Sequence, residues 1–351
     1  MSQDTTVMFE QPHRRYNPLT GEWILVSPQR TQRPWQGQME KKPPEERLSY
    51  DLECYLCPGN VRSQGQHNPQ YNNIFIFDND FPALLPDVAG GSYNFEEQGL
   101  LVADSERGIC RVLCFSPRHD LTLAEMEVAD LRLVVDAWTN QYQELGSLDF
   151  VKHVQIFENR GAMMGSSNPH PHGQIWANQT IPNEAIKELR AFGQHRQKTG
   201  HCLLCDYLET ELRLQTRIVC ENEHFVALVP FWAMWPFETL LLSRTHLAAL
   251  PDLANEQREA LAAILKTLTT RYDNLFEVSF PYTMGFHQPP TDNQPYPDWH
   301  LHAHFYPPLL RSATIRKFVV GYELLANAQR DITAEAVAAR LRSVAAVHYR
   351  Q

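Results

Sequence analysis

Residues 168–174 read Asn168, Pro169, His170, Pro171, His172, Gly173 and Gln174: two imidazoles separated by one proline, then a glycine and an amide. A similar spacing returns late in the chain at His300, His302 and His304, and a Cys-x-x-Cys pair lies upstream of each set, Cys54 with Cys57 and Cys202 with Cys205. Neutral imidazole is a nucleophile at pH 7 that can carry a phosphoryl group transiently, whereas imidazoles combined with thiolates bind metal ions. Alternation along a strand puts His170 and His172 on one face, so that one ring can hold a metal while the other attacks. Pro169 and Pro171 stiffen the segment that carries them.

The elements that must position these residues come in two rounds. Cys54-x-x-Cys57 is followed by the apolar segment IFIFDNDFPALLP, then RVLCFSPRH ending at His119, a helix, the strand HVQIFEN and the first histidine motif. Cys202-x-x-Cys205 is followed by HFVALVPFWAMWPF, then TLLLSRTH ending at His246, a helix, the segment PYTMGFH and the second motif. The helices match in their apolar positions, Leu131, Val134, Val135, Trp138, Tyr142 and Leu145 in one and Leu261, Ile264, Leu265, Leu268, Tyr272 and Leu275 in the other. Both sets have the spacing of a single buried helical face. Thr122 followed by Glu125 predicts a capping box at the start of the first helix. The flanking segments, short and rich in Val, Ile, Phe and Trp, predict strands joined by turns. Each half therefore reads as a small α+β unit, a sheet with a helix on one face. The stretch 40–47, rich in Pro, Glu and Lys, and the polar run 193–200 are expected to be surface connections.

At 351 residues and 43% hydrophobic content the chain can bury one large core or two ordinary ones. No run of about 18 apolar residues is present to span a bilayer, and the polar start of the chain lacks the apolar stretch of a secretory signal, which predicts a cytoplasmic protein. Seven cysteines in a reducing compartment read as metal ligands or buried thiols rather than disulfides. A net charge of -10 argues against nucleic acid as a partner. A small phosphorylated ligand needs only a local basic cluster, and Arg30 with Arg33, or Arg311 with Arg316 and Lys317, would supply one.

Over nearly its whole length the chain resembles the galactose-1-phosphate uridylyltransferases of the histidine-triad superfamily. The likeness runs from RRYNPLTGEWILVSPQR through CYLCPGN, NDFPALLP, FENRGAMMGSSNPHPHGQIWA and WPFETLLL to LHAHFYPPLLRSATIRKFVVGYE. The resemblance implies a duplicated histidine-triad-like unit, a mostly antiparallel sheet forming a half-barrel with flanking helices. It implies two halves: 1–192 with the nucleophile and a zinc site, and 193–351 with a second metal site and sugar-phosphate contacts. It makes His172 the nucleophile that attacks the α-phosphorus of UDP-glucose and releases glucose-1-phosphate. Galactose-1-phosphate then takes the uridylyl group, in a ping-pong sequence. Gln174 matches the amide that hydrogen-bonds the phosphoryl oxygens.

By the same resemblance Cys54, Cys57, His119 and His170 match structural zinc ligands, and Glu188, His287, His302 and His304 match ligands of iron or zinc. Asn79, Asp80, Asn159, Gly165, Ser166, Ser167 and Gln174 fall at positions that contact the uridine, ribose or phosphates. Lys317, Val320, Tyr322, Glu323 and Gln329 match contacts to the hexose or its phosphate, several of them reaching across a subunit interface. Arg30 and Arg33 match residues contributed by a neighbouring chain, so a homodimer is expected. Position 166 is serine where some relatives carry cysteine.

The second Cys-x-x-Cys departs from some relatives. By the internal repeat Cys202, Cys205, His246 and His302 form the counterpart of the first zinc set, in competition with the Glu188 set for His302. Core thiols left from duplication are the alternative. Histidine-triad hydrolases and phosphorylases discharge the same covalent histidine to water or phosphate. Hydrolases tend to carry a third histidine after the nucleophile, where this chain has Gly173 and Gln174. A zinc-stabilised interaction module would explain the cysteines but not the proline-flanked histidines.

Overall fold

The computed structural model describes residues 8–32, 47–95 and 99–351. In chain order, β1 (His13–Asn17), β2 (Glu22–Val26), β3 (Phe75–Asp78), β4 (Ser92–Asn94), β5 (Val102–Asp104) and β6 (Gly108–Cys114) lead to helix α1 (Val128–Gly146), β7 (His153–Arg160) and β8 (His172–Asn178). Helices α2 (Asn183–Thr199) and α3 (Leu203–Leu214) follow, then β9 (Ile218–Glu221), β10 (Phe225–Leu228), β11 (Thr239–Ser243), α4 (Asn255–Phe276), β12 (Tyr282–His287) and β13 (His302–Tyr306). The chain closes with β14 (Leu309–Ser312), β15 (Ile315–Arg316), the single turn α5 (Tyr322–Leu325), β16 (Gln329–Arg330) and α6 (Ala334–Ser343).

Nine of these strands form one antiparallel sheet in the order β3-β6-β8-β7-β12-β13-β11-β10-β9. The order is palindromic about the β7–β12 seam: β7, β8, β6 and β3 on one side answer to β12, β13, β11 and β10 on the other. At that seam Arg160 lies opposite Tyr282 and Ile156 opposite Phe286. The sequence repeat is thus a repeat of the sheet.

Helices α1 and α4 pack against each other, and every apolar position expected to face inward on them is buried. Their stripes join Val154, Ile156, Ile175 and Leu241 in the main core. A second core on the opposite face gathers Phe192, Leu204, Leu208, Leu240, Leu242 and Trp299. β11 is buried throughout, with Leu241 in one core and Leu240 and Leu242 in the other. A strand covered on both faces carries a continuous apolar run instead of alternation.

Two expectations are corrected. Thr122 and Glu125 do not cap α1, which begins at Val128 with Glu127 before it. Their side chains bond each other at 2.9 Å within a separate turn closed by the Met126 N–H on the Thr122 carbonyl, so the Thr122 hydroxyl is spent on a carboxylate. The polar run 193–199 belongs to α2 rather than to a connection. Ala185, Glu188 and Phe192 are buried at helical spacing on the preceding turns, and this packing outweighs the weak propensity of Gly193. The helix stops at Gly200, whose φ of 80° suits glycine at a C-terminus.

Candidate active site and metal centres

β8 begins at His172, the half-exposed first residue of the strand, and His170 lies just before it. The same-face alternation expected for the two rings therefore does not apply: both residues border a cavity of about 720 Å³, but the His170 ring nitrogen turns to the cysteine cluster. The Nδ1 of His172 lies 2.8 Å from the His170 carbonyl oxygen. A carbonyl only accepts, so Nδ1 carries the proton and Nε2 keeps its lone pair. Burial lowers the pKa of this ring below 6.5, which favours the neutral form.

Asn159, Ser166 and Ser167 line the same cavity. Asn159 Oδ1 accepts from the Thr283 hydroxyl at 2.9 Å, across the β7–β12 seam. Gly165, at φ 80°, turns the chain just before the two serines. Ser167 Oγ lies 3.3 Å from the Tyr55 hydroxyl, and Ser166 Oγ donates to the Asn168 carbonyl at 3.0 Å. Residues that sequence reasoning missed complete the wall: Arg47, Glu158, Arg160, Tyr349 and Arg350. Burial pushes the Glu158 carboxyl up to about 7. No local signal marks Arg350, because its placement depends on the chain end docking on α4, where the Tyr349 N–H bonds Asn274 Oδ1 at 2.8 Å and His348 Nε2 bonds Asp273 Oδ2 at 3.1 Å.

The remaining predicted contacts lie elsewhere. Gln174 does not line the cavity, and its Oε1 accepts from Trp176 Nε1 at 3.2 Å. Asn79 and Asp80 follow β3, where Asn79 Oδ1 accepts from the Phe81 N–H and Asp80 faces Arg62 at 3.8 Å. Lys317 is buried with its ammonium 2.5 Å from Glu323 and bonded to the Gln329 carbonyl; Gln329 Nε2 donates to Asp331, which also pairs with Arg30 at 3.0 Å. This cluster, with the exposed Val320 and Tyr322, is absent from the wall of the His172 cavity. Arg33 lies outside the described residues.

Cys54, Cys57, His119 and His170 are all buried with their donor atoms within 4.8 Å of one another. Cys57 Sγ stands 3.6 Å from Nδ1 of both His119 and His170. The His170 Nε2–H is taken by the Ser116 carbonyl at 2.9 Å, which leaves Nδ1 to the sulfurs. The N–H of Leu56 and the amide of Asn168 point at Cys54 Sγ, each 3.4 Å away, as donors do around a thiolate. Burial raises the Cys57 thiol to about 12, so a cation is what would hold it ionised. The donor set fits a metal of borderline softness.

Glu188 from α2 meets His287 at the end of β12 and His302 and His304 on β13. Its Oε1 is 2.8 Å from His287 Nδ1, 3.5 Å from His302 Nε2 and 3.7 Å from His304 Nε2. Burial alone would raise this carboxyl, but the neighbouring imidazoles of His287 and His302 hold it well below the usual carboxylate range. Glu188 Oε2, His302 Nε2 and both ring nitrogens of His304 are buried without a hydrogen-bond partner. Orphaned donors converging on one point fit a metal ion, which would satisfy them together.

A third cluster joins Cys202, Cys205, His246 and His300. The expected competition for His302 therefore does not arise. His300 supplies the fourth ligand type, because it precedes β13 and its ring turns toward the thiols while His302 faces Glu188.

Residues 2–182 match the family model described as galactose-1-phosphate uridyl transferase, N-terminal domain, and residues 188–351 match its C-terminal counterpart. The chain is 54% identical over 342 residues to the galactose-1-phosphate uridylyltransferase of Haemophilus influenzae, covering 97% of both chains. It is 49% identical over 343 residues to that of Rattus norvegicus, covering 97% of this chain and 89% of the relative. A solved structure described as a uridylyltransferase superposes with a TM-score of 0.74 at 27% identity, covering 94% of this chain and 97% of that one.

Proposed function

The chain belongs to the galactose-1-phosphate uridylyltransferase family and is a uridylyltransferase acting on galactose-1-phosphate; we propose that the uridylyl group comes from UDP-glucose and passes through His172. The observation that carries this reading is His172 on the cavity wall with its Nδ1 locked by the His170 carbonyl at 2.8 Å, which leaves the lone pair on Nε2. In the first displacement that lone pair forms a bond to the α-phosphorus while the bond to the bridging oxygen breaks, and glucose-1-phosphate leaves with the electron pair. In the second, a phosphate oxygen of galactose-1-phosphate attacks the same phosphorus, the P–N bond breaks, and UDP-galactose leaves a neutral imidazole. Both sugar phosphates occupy one site in turn, which is the basis of ping-pong kinetics. Arg47, Arg160 and Arg350 on the wall offset the phosphate charge, and Asn159, Ser166 and Ser167 offer polar groups to the nucleotide. Gln174, Asn79 and Asp80, which lie off this wall, are the further nucleotide contacts of this proposal.

The Cys54 set would hold zinc and the Glu188 set zinc or iron, each as a structural ion without an open position for substrate. The first ion would brace the segment before β8 through His170, whose carbonyl orients His172. Two halves, 1–192 and 193–351, would share these duties, with Glu188 on α2, the helix that joins them, serving the metal cluster of the second. Lys317, Val320, Tyr322, Glu323 and Gln329 would contact the hexose or its phosphate, several of them from a second copy of the chain, which would also contribute Arg30 and Arg33. The placement of Lys317, Val320, Tyr322, Glu323, Gln329 and Arg30 away from the cavity supports this homodimer, as does the apolar stretch beside them, with Phe318, Val320, Tyr322, Leu324 and Leu325 all more than half exposed. Among the described residues no helix is long and apolar enough to cross a membrane. A cytoplasmic site of action suits seven free cysteines.

The test is to incubate the protein with UDP-glucose alone and record its intact mass beside a His172→Gly variant. A uridylyl adduct on the wild type only, discharged by galactose-1-phosphate to UDP-galactose, is the expected result. Release of UMP without an acceptor, or an adduct of equal yield on the variant, would overturn it.

A further inference from the structure

We propose that Cys202, Cys205, His246 and His300 form a third metal site, a tetrahedral zinc centre that coexists with the Cys54 and Glu188 centres and fixes the entry to β13. Cys202 and Cys205 frame the first turn of α3, His246 follows β11, and His300 stands just before β13, so three separate segments converge. Cys205 Sγ is 3.4 Å from Nδ1 of both His246 and His300, and Cys202 Sγ is 3.8 Å from His300 Nδ1. Bonds of about 2.3 Å to sulfur and about 2.0–2.1 Å to nitrogen at a tetrahedral angle put sulfur and nitrogen roughly 3.5 Å apart. The donor spacing is that of a coordination shell.

The tautomers agree with this. His246 Nε2 lies 3.0 Å from the Pro297 carbonyl, and His300 Nε2 lies 2.9 Å from the Ser243 carbonyl. Each carbonyl can only accept, so both Nε2 atoms are protonated and both Nδ1 lone pairs face the thiols. Outer partners of this kind select the ring nitrogen that binds a metal. Simple burial of a leftover thiol pair would not require two histidines from distant segments, each with its second nitrogen satisfied.

The hydrogen bonds around His300 and His302 also repeat those around His170 and His172. His170 Nε2 donates to the Ser116 carbonyl as His300 Nε2 does to Ser243, and His172 Nδ1 donates to the His170 carbonyl as His302 Nδ1 does to that of His300, at 2.7 Å. The third ion thus orients His302, a ligand of the Glu188 centre, as the first orients the nucleophile. The centres differ in burial: His246 is exposed and Cys205 half-buried, whereas all four residues of the Cys54 set are buried.

The full-length protein would be isolated with zinc and iron supplied, dialysed against a graded series of a competing chelator, and its metal counted per chain. Wild type should retain three equivalents and the Cys202→Ser/Cys205→Ser double variant two. His246→Ala, a change at an exposed position that the fold tolerates, should release one equivalent at a lower chelator concentration than wild type. Reconstitution with cobalt(II) should show the thiolate-to-metal band of the double variant at half the wild-type intensity, because two of four ligating thiolates remain. Equal metal counts in wild type and double variant, identical chelator profiles for wild type and His246→Ala, or a Cys202–Cys205 disulfide in the isolated protein would overturn the site.

Discussion

Gly173, between His172 and Gln174, tests how far the nucleophile depends on close packing of β8. A Cβ built there would lie 2.9 Å from Phe115 Cζ, 3.1 Å from Phe115 Cε1 and 3.0 Å from the Phe157 carbonyl oxygen. Phe115 is buried edge-on against Trp138, with ring centroids 5.7 Å apart, and cannot swing aside, while the Phe157 oxygen belongs to the backbone of neighbouring β7. In Gly173→Ala it is β8 that yields, by a few tenths of an ångström. Overpacking of this kind costs about 1–3 kcal/mol, within a total stability of about 5–15 kcal/mol, so the variant folds. A 1 Å misplacement of a reacting group costs on the order of 100-fold, and a shift of a few tenths should slow uridylylation on the order of 10-fold. The assay is adduct formation from UDP-glucose by rapid quench and intact mass, alongside urea unfolding. Gly193→Ala is the control: its Cβ meets nothing within 4 Å, and a helix-interior alanine should add about 0.5–1 kcal/mol without touching the rate. Wild-type rate and stability in Gly173→Ala, or an equal rate loss in Gly193→Ala, would refute the reasoning.

Glu158→Gln should change how stability depends on pH. Burial raises this carboxyl from 4.5 to about 7, so its contribution is fully present below pH 4.5 and is lost as pH rises through about 7. At 1.36 kcal/mol per unit the loss is at most about 3 kcal/mol. The uncharged isostere should lack that decline in urea midpoints measured across the window, and parallel profiles for the two proteins would contradict it. Asp273→Ala should destabilise by about 3–5 kcal/mol, because a buried carboxylate bonded to Arg160 at 2.7 Å, His348 at 3.1 Å and the Phe280 N–H at 2.9 Å disappears and strands the guanidinium. A loss under about 1 kcal/mol in urea unfolding would show that Arg160 finds another partner.

The sequence by itself determined which faces are buried and which residue types can bind or attack. The matched stripes on α1 and α4, the strand segments and the repeat were legible, because helical and extended periodicities are local properties, whereas the Cys54 and Glu188 sets came from the resemblance to a known family. Tertiary structure decided the rest. His300 and His302 have the same spacing to their neighbours, and only the start of β13 at His302 sends one ring to Cys205 and the other to Glu188. Thr122 and Glu125 carry a helix-start signal that is spent on a turn, and the polar run after Phe192 becomes helix because buried residues on the preceding turns hold it in register. Arg350 reaches the cavity because the chain end docks on α4. Long-range contacts of this kind carry no signature in neighbouring residues, since the free energy that selects them comes from packing and hydrogen bonds between segments far apart in the chain.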